Sequence, residues 1–146
     1  MRNTWSIALL LAASTAISLS AHVTVSPLQS KPGAVQKYEL RVHNEAKAAA
    51  TSIELDIPEG VTVTEVAKTP SGTYTTKTTG SRITMITWQI DVQPNKYLAL
   101  PFTAKNPDTG AELHWTMREH LADGSTVDFS DKPGAKEKAT VTKLTP

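Results

Sequence analysis

Segments rich in Thr and Val, in which apolar and polar side chains alternate, make up most of this 146-residue chain from residue 22 onward. Such alternation is typical of a strand with one buried face, because successive side chains point to opposite faces of a sheet. Turn sequences such as Lys31-Pro32-Gly33 and Asp123-Gly124 separate the segments. Short strands at this regular spacing predict an all-β fold, a single antiparallel β-sandwich. The predicted strands cover residues 22–26, 35–43, 51–57, 61–66, 74–79, 82–92, 97–104, 111–120, 126–130 and 139–144.

Residues 1–21 have the composition of an export signal. Arg2 supplies a short positive region, the apolar run 7–13 follows, and small residues complete the segment. The apolar run is too short to span a bilayer, which takes about 20 residues. We therefore expect a cleaved signal peptide and a periplasmic or otherwise exported product.

Two cleavage points are open. Cleavage after Ala21 places the bulky Leu19 at position −3, whereas cleavage after Ser20 fits the small-residue preference better but leaves Ala21 as the first residue. We expect the cut after Ala21, so that residues 22–146 form the mature β-sandwich domain.

Composition excludes several classes of function. Arg2 is the only charged residue of the signal, so the remainder carries equal numbers of basic and acidic residues. A neutral balance argues against nucleic acid and anionic membranes as partners. The chain has no Cys, which excludes disulfides and thiolate ligands. Hydrolase and phosphate-loop motifs are also absent, and we predict no enzyme activity and no integral membrane segment in the mature chain.

Cleavage after Ala21 would make His22 the first residue. Its freed α-amine and its imidazole Nδ1 could then close a chelate ring on one ion. Nitrogen and oxygen donors suit Cu(II). Two nitrogens are too few for a tight site, so a carboxylate should join them, with Glu45 as the first candidate and Glu54 as the second. Without this cleavage, His22 is an ordinary surface histidine.

The other histidines differ in how well they are placed. His114, Met117 and His120 are evenly spaced, but on a strand Met117 points away from both histidines, which lie about 20 Å apart at ~3.3 Å per residue. His43 is better placed, because it lies two residues before Glu45 and shares its face.

Six motifs follow one another in order along residues 22–146. They are His22-Val23-Thr24-Val25-Ser26-Pro27, Tyr38-Glu39-Leu40-Arg41-Val42-His43-Asn44-Glu45, Ile57-Pro58-Glu59-Gly60-Val61, Thr87-Trp88, Phe102-Thr103-Ala104-Lys105-Asn106-Pro107 and Ala122-Asp123-Gly124-Ser125. Together they resemble the YcnI-like family of exported bacterial copper-binding proteins. The first two motifs are fairly specific in combination, whereas each alone would be weak.

The resemblance implies an immunoglobulin-like β-sandwich that binds Cu(II) through an N-terminal single-histidine brace, assisted by a glutamate, with a tryptophan close to the metal. On this chain the brace falls on His22 and the glutamate on Glu45. Phe129 stands where the family has its tryptophan, and His43 stands where family members tend to have proline. We hypothesise that His43 is an added nitrogen donor that partly compensates for the missing tryptophan.

The sequence therefore favours an exported Cu(II)-binding protein, a chaperone or buffer in periplasmic copper homeostasis. Its expected partners are the copper ion and either another copper-handling protein or a membrane copper transporter. One alternative is a metal-free immunoglobulin-like module that binds another protein. A second alternative is a copper oxidase or monooxygenase, in which His43 would supply the second imidazole.

Overall fold

A computed structural model describes residues 22–69 and 72–146, and the predicted signal peptide lies outside them. The described residues form eleven β-strands and no helix. The strands are β1 (His22–Ser26), β2 (Gln29–Ser30), β3 (Val35–His43), β4 (Ala50–Asp56), β5 (Thr62–Val66), β6 (Tyr74–Thr79), β7 (Arg82–Val92), β8 (Tyr97–Lys105), β9 (Glu112–Leu121), β10 (Thr126–Phe129) and β11 (Thr140–Leu144). Every predicted strand is present, with bounds that differ by at most one residue.

Two sheets pack face to face. The first has the order β1-β3-β8-β5, and the second has the order β2-β11-β9-β4-β7-β6, with β10 also paired to β9. Strand pairs are antiparallel except for β2 with β11, a two-residue parallel contact that the alternation pattern does not predict. The expected antiparallel β-sandwich is confirmed.

The core between the sheets is built from aromatic and aliphatic side chains. Tyr38 and Phe102 stack with ring centroids 5.5 Å apart, and the edge of Trp115 meets Tyr38 at 5.0 Å and Phe102 at 5.7 Å. All three residues are at most 1% exposed. Each such side chain stabilises the fold by about 1.5–3 kcal/mol through removal of apolar area from water, which suits a domain with no disulfides.

Three strands of the first sheet end side by side. β1 pairs with β3 so that His22 lies opposite His43, and β3 pairs with β8 so that His43 lies opposite Tyr97. The three residues therefore form one row across the outer face of the sheet. In the part of the chain that the structure covers, no helix is long and apolar enough to cross a membrane.

Candidate metal centre

Glu45 joins the two histidines of this row. Its carboxylate oxygen Oε2 lies 3.3 Å from Nε2 of His22, and Oε1 lies 3.2 Å from Nδ1 of His43. The imidazole centroids are 6.4 Å apart. The structure thus brings together the three residues that the sequence proposed as ligands, and one carboxylate contacts both rings.

Asn44 holds the loop that carries Glu45. Its side-chain Nδ2 donates to the carbonyls of Ala48 and Val92 at 2.9 and 2.8 Å, and its Oδ1 accepts from the backbone N–H of Ala46 at 2.9 Å. The backbone of Asn44 also bonds to Asn95 and Lys96 in the turn between β7 and β8. Asn44 is fully buried, and both the nitrogen and the oxygen of its side-chain amide have hydrogen-bond partners. This network fixes where the chain leaves β3 and therefore where Glu45 points.

An open groove of about 410 Å³ runs along the outer face of the first sheet from this row. It is lined by His22, Thr24, Glu39, Arg41, Val42, His43, Tyr97, Leu98 and Ala99. The Tyr97 ring stacks on His43 with centroids 4.0 Å apart and planes 7° apart. Arg41, further along the groove, is paired with Glu39 at 2.7 Å. The histidine end is therefore the part of the groove where nitrogen and oxygen donors gather.

The donors are close together but are not arranged around a common point. Among residues 22–69 and 72–146, no group of three or more His, Asp or Glu side chains has the geometry to hold an ion as it stands. His22 presents Nε2 to Glu45, whereas chelation with its own α-amine requires Nδ1. The His22 side chain is 62% exposed, so its ring has room to turn. An ion would therefore have to replace the contact between His22 and Glu45.

Two other residues singled out in the sequence lie in the second sheet. Phe129 is on β10, is 2% exposed and belongs to the hydrophobic core, and the aromatic side chain that lines the groove is Tyr97. Glu54 lies on β4, where Arg118 donates to it at 2.7 Å and lowers the pKa of its carboxyl. Glu54 is therefore engaged in an ion pair outside the groove. That Phe129 shields a bound metal stays a prediction.

The remaining histidines are held by other polar partners. Nδ1 of His114 lies 2.6 Å from Asp131 and Nε2 lies 2.9 Å from Glu112, and these carboxylates raise the pKa of His114. His120 contacts Glu54 at 3.3 Å. Met117 is fully buried, so it faces away from both histidines, as the alternation predicts.

Sequence reasoning missed two residues of the centre, Asn44 and Tyr97. Asn44 stands in the motif that ends at Glu45, and an asparagine directly after a strand is a recognisable signal for a side-chain turn. Tyr97 lies more than fifty residues from His43 in the chain, and only the pairing of β3 with β8 places it beside that histidine.

Sequence comparison finds relatives over nearly the whole described chain. Residues 22–145 match the profile of a family described as a domain of unknown function, DUF1775. The chain is also 27% identical over 129 residues to the copper-binding protein CutI of Bacillus subtilis (strain 168). That alignment covers 86% of this chain and 63% of the relative, so the chain spans less than two thirds of the length of CutI.

Structural comparison shows the same fold in proteins of low sequence identity. An uncharacterised protein from Nocardia farcinica, described as having an immunoglobulin-like fold, matches with a TM-score of 0.74 at 20% identity, covering 86% of this chain and 99% of that one. A non-cellulosomal cohesin from Archaeoglobus fulgidus matches with a TM-score of 0.55 at 12% identity, covering 87% and 92%. The expectation of an immunoglobulin-like sandwich is confirmed. The chain belongs to the DUF1775 family, and the resemblance to YcnI-like proteins drawn from its motifs is confirmed.

Proposed function

We propose that this protein is exported, begins at His22 after signal cleavage, and binds Cu(II) at the end of the groove where His22, His43 and Glu45 meet. Its role is that of a chaperone or buffer in periplasmic copper homeostasis. Its partners are the copper ion and another copper-handling protein or a membrane copper transporter. The single observation that carries the proposal is the contact of one carboxylate, Glu45, with both imidazoles.

The donor set fits the metal. The site offers two imidazoles, a carboxylate and a terminal amine. Among the divalent first-row ions, Cu(II) binds nitrogen and oxygen ligands of this kind most tightly, and it prefers tetragonal geometry. Imidazoles that share one ion, each with a metal–nitrogen bond of about 2 Å, have centroids within roughly 6 Å of each other. The observed separation of 6.4 Å lies just outside this range, and the His22 ring must also turn to present Nδ1. The relative CutI is named a copper-binding protein, which supports copper as the metal bound here.

Each residue has a distinct part in binding. The α-amine and Nδ1 of His22 chelate the ion. Glu45 supplies an oxygen ligand, and its negative charge balances part of the charge of the ion. His43 supplies a further nitrogen. The side chains of His43 and Glu45 are only about one quarter exposed, whereas that of His22 is more than half exposed. The exposed terminal residue makes the site accessible, which suits exchange of the ion with a partner.

The test is N-terminal sequencing and intact mass of the exported protein, followed by Cu(II) titration with calorimetry and thermal unfolding. We expect a start at His22, one Cu(II) per chain, and stabilisation of the fold by about 2.7 kcal/mol at a free copper concentration one hundred times Kd.

A matched control is the chain that begins at His22 with its α-amine acetylated. It keeps every side chain of the site but converts the His22 nitrogen into an amide, so the amine–imidazole chelate is lost and affinity should fall by about 100-fold. Equal affinity of the two chains would refute the terminal brace. An exported chain that starts at His22 and shows neither copper uptake nor thermal stabilisation would instead favour the metal-free interaction module.

A further inference from the structure

Tyr97 occupies an unusual position for an aromatic residue. It is 75% exposed, so burial in the core does not explain where its ring lies. The ring nevertheless covers one face of the His43 imidazole in a nearly parallel stack, with centroids 4.0 Å apart. Cross-strand neighbours of this kind contribute through side-chain contact across the sheet. The contact that fixes the Tyr97 ring is therefore with a residue of the candidate metal centre.

This stack and Glu45 together restrict the His43 ring. Tyr97 covers one face, and the carboxylate of Glu45 lies 3.2 Å from Nδ1. Imidazole nitrogens bind a metal through lone pairs that lie in the ring plane. The arrangement therefore leaves the edge of the ring, where both nitrogens lie, as the part that an ion can reach.

We propose that Tyr97 is a positioning residue of the copper centre, acting through His43. This inference rests on the proposed function. The stack holds the imidazole in one orientation, which lowers the loss of side-chain freedom on binding. A metal-bound imidazole also carries part of the charge of the ion, and the negative face of the tyrosine ring attracts that charge. Tyr97 therefore stabilises the loaded centre more than the empty one.

The other histidines show that this stack is particular to the centre. Within the described residues, the aromatic stacking contacts of histidines involve His22, His43 and Tyr97. His114 and His120 are held instead by carboxylates and hydroxyl groups. A general tendency of surface histidines to stack on tyrosines does not account for the contact.

The experiment compares Tyr97→Leu and Tyr97→Phe with the parent chain that begins at His22. We expect Tyr97→Leu to weaken Cu(II) binding by about two- to five-fold and to change the copper hyperfine splitting in electron paramagnetic resonance. Tyr97→Phe keeps the ring, so it should retain both the affinity and the spectrum. Tyr74→Leu, which removes a half-exposed tyrosine from β6 in the second sheet, should change neither.

Combination with His43→Ala separates the proposal from a simple packing effect. In that background Tyr97→Leu should have no further effect on affinity or spectrum, because Tyr97 acts through the imidazole. An unchanged spectrum and affinity in Tyr97→Leu alone, or an undiminished effect in the His43→Ala background, would overturn the inference. Loss of binding in Tyr97→Phe would point to the hydroxyl as a ligand and would also overturn it. In each of these cases copper binding by the parent chain keeps the proposed function intact, whereas failure of the parent chain to bind refutes the function itself.

Discussion

At the scale of single residues, Glu119 is the least expected side chain in the core. It lies on β9 between Val127 and Ile53 of the neighbouring strands, is fully buried, and its two carboxylate oxygens have no hydrogen-bond partner among the described residues. Burial without a partner disfavours the charged form and raises the pKa of Glu119 to about 7. The folded protein therefore keeps this proton up to about pH 7, whereas the unfolded chain releases it near pH 4.5.

Replacement of Glu119 by methionine should stabilise the protein, and by more at pH 8 than at pH 5. Because the folded state binds the extra proton, the free energy of unfolding of the parent chain falls as pH rises from 4.5 to 7. Methionine is similar in volume and has no charge to bury, so its advantage should grow by about 2–3 kcal/mol across that range. Urea unfolding of both chains at the two pH values measures the difference. A constant difference would mean that Glu119 is paired in solution.

The residues of the candidate centre differ in how far the sequence reveals them. His22 is predictable because the expected cleavage after Ala21 would place a free amine beside an imidazole at that position alone. His43 follows from alternation along β3, and Glu45 follows when the same alternation is continued two residues into the loop. Tyr97 does not follow, because its place beside His43 depends on the register between β3 and β8, and alternation within one strand carries no information about its partner.

At the scale of elements, the sequence predicts where the strands lie better than it predicts which strands pair. Alternation locates each strand, but the two-residue β2 is too short to show any period.

Some residues of the sequence motifs support the fold rather than the candidate metal centre. Gly60 has a φ of 83°, and a side chain there would lie 2.9 Å from the Cβ of Pro107, so the Pro-Glu-Gly turn and the Asn-Pro motif are in contact. Composition could mark both as turns but could not show that they meet.

Two buried asparagines allow a direct test of how the loop after β3 serves the centre. Asn44 anchors the loop that carries Glu45. Asn106 follows the opposite end of the β3–β8 pair, where it bonds to Tyr38, Ser30 and Lys31. Each is at most 2% exposed and uses both its amide nitrogen and its amide oxygen.

Replacement of either asparagine by alanine should lower the free energy of unfolding by about 2–4 kcal/mol, since each leaves buried backbone or side-chain groups without partners. Only Asn44→Ala should also weaken Cu(II) binding, by about ten-fold, because it releases the backbone that positions Glu45. Denaturant unfolding and copper titration below the unfolding transition separate the two effects. Equal copper affinities in the two variants would show that Asn44 serves the fold alone.

At the scale of the whole molecule, the stability of the metal-free protein and the stabilisation by copper should depend on pH in opposite ways. Besides Glu119, His114 favours the folded state at lower pH. The Asp131 and Glu112 carboxylates raise its pKa, so its contribution is present below about pH 6.5 and is lost as pH rises through the higher folded value. Glu54 does not oppose this trend, because Arg118 lowers its pKa and it remains charged throughout the range from pH 5.5 to 8. The metal-free protein should therefore unfold at a lower temperature at pH 8 than at pH 5.5.

Stabilisation by copper should follow the opposite trend with pH. The ion binds the terminal amine only after the amine loses its proton, and an unperturbed α-amine has a pKa of about 7.7–8.0. Affinity, and with it the rise in Tm at a fixed copper concentration, should therefore increase from pH 5.5 to pH 8. Calorimetric unfolding with and without Cu(II) at the two pH values tests both halves of the argument. In the chain whose His22 amine is acetylated no amine takes part in binding, so the rise in Tm should be small at both pH values. A rise in Tm that is the same at pH 5.5 and pH 8 in the chain beginning at His22 would mean that the ion is held by side chains without the amine.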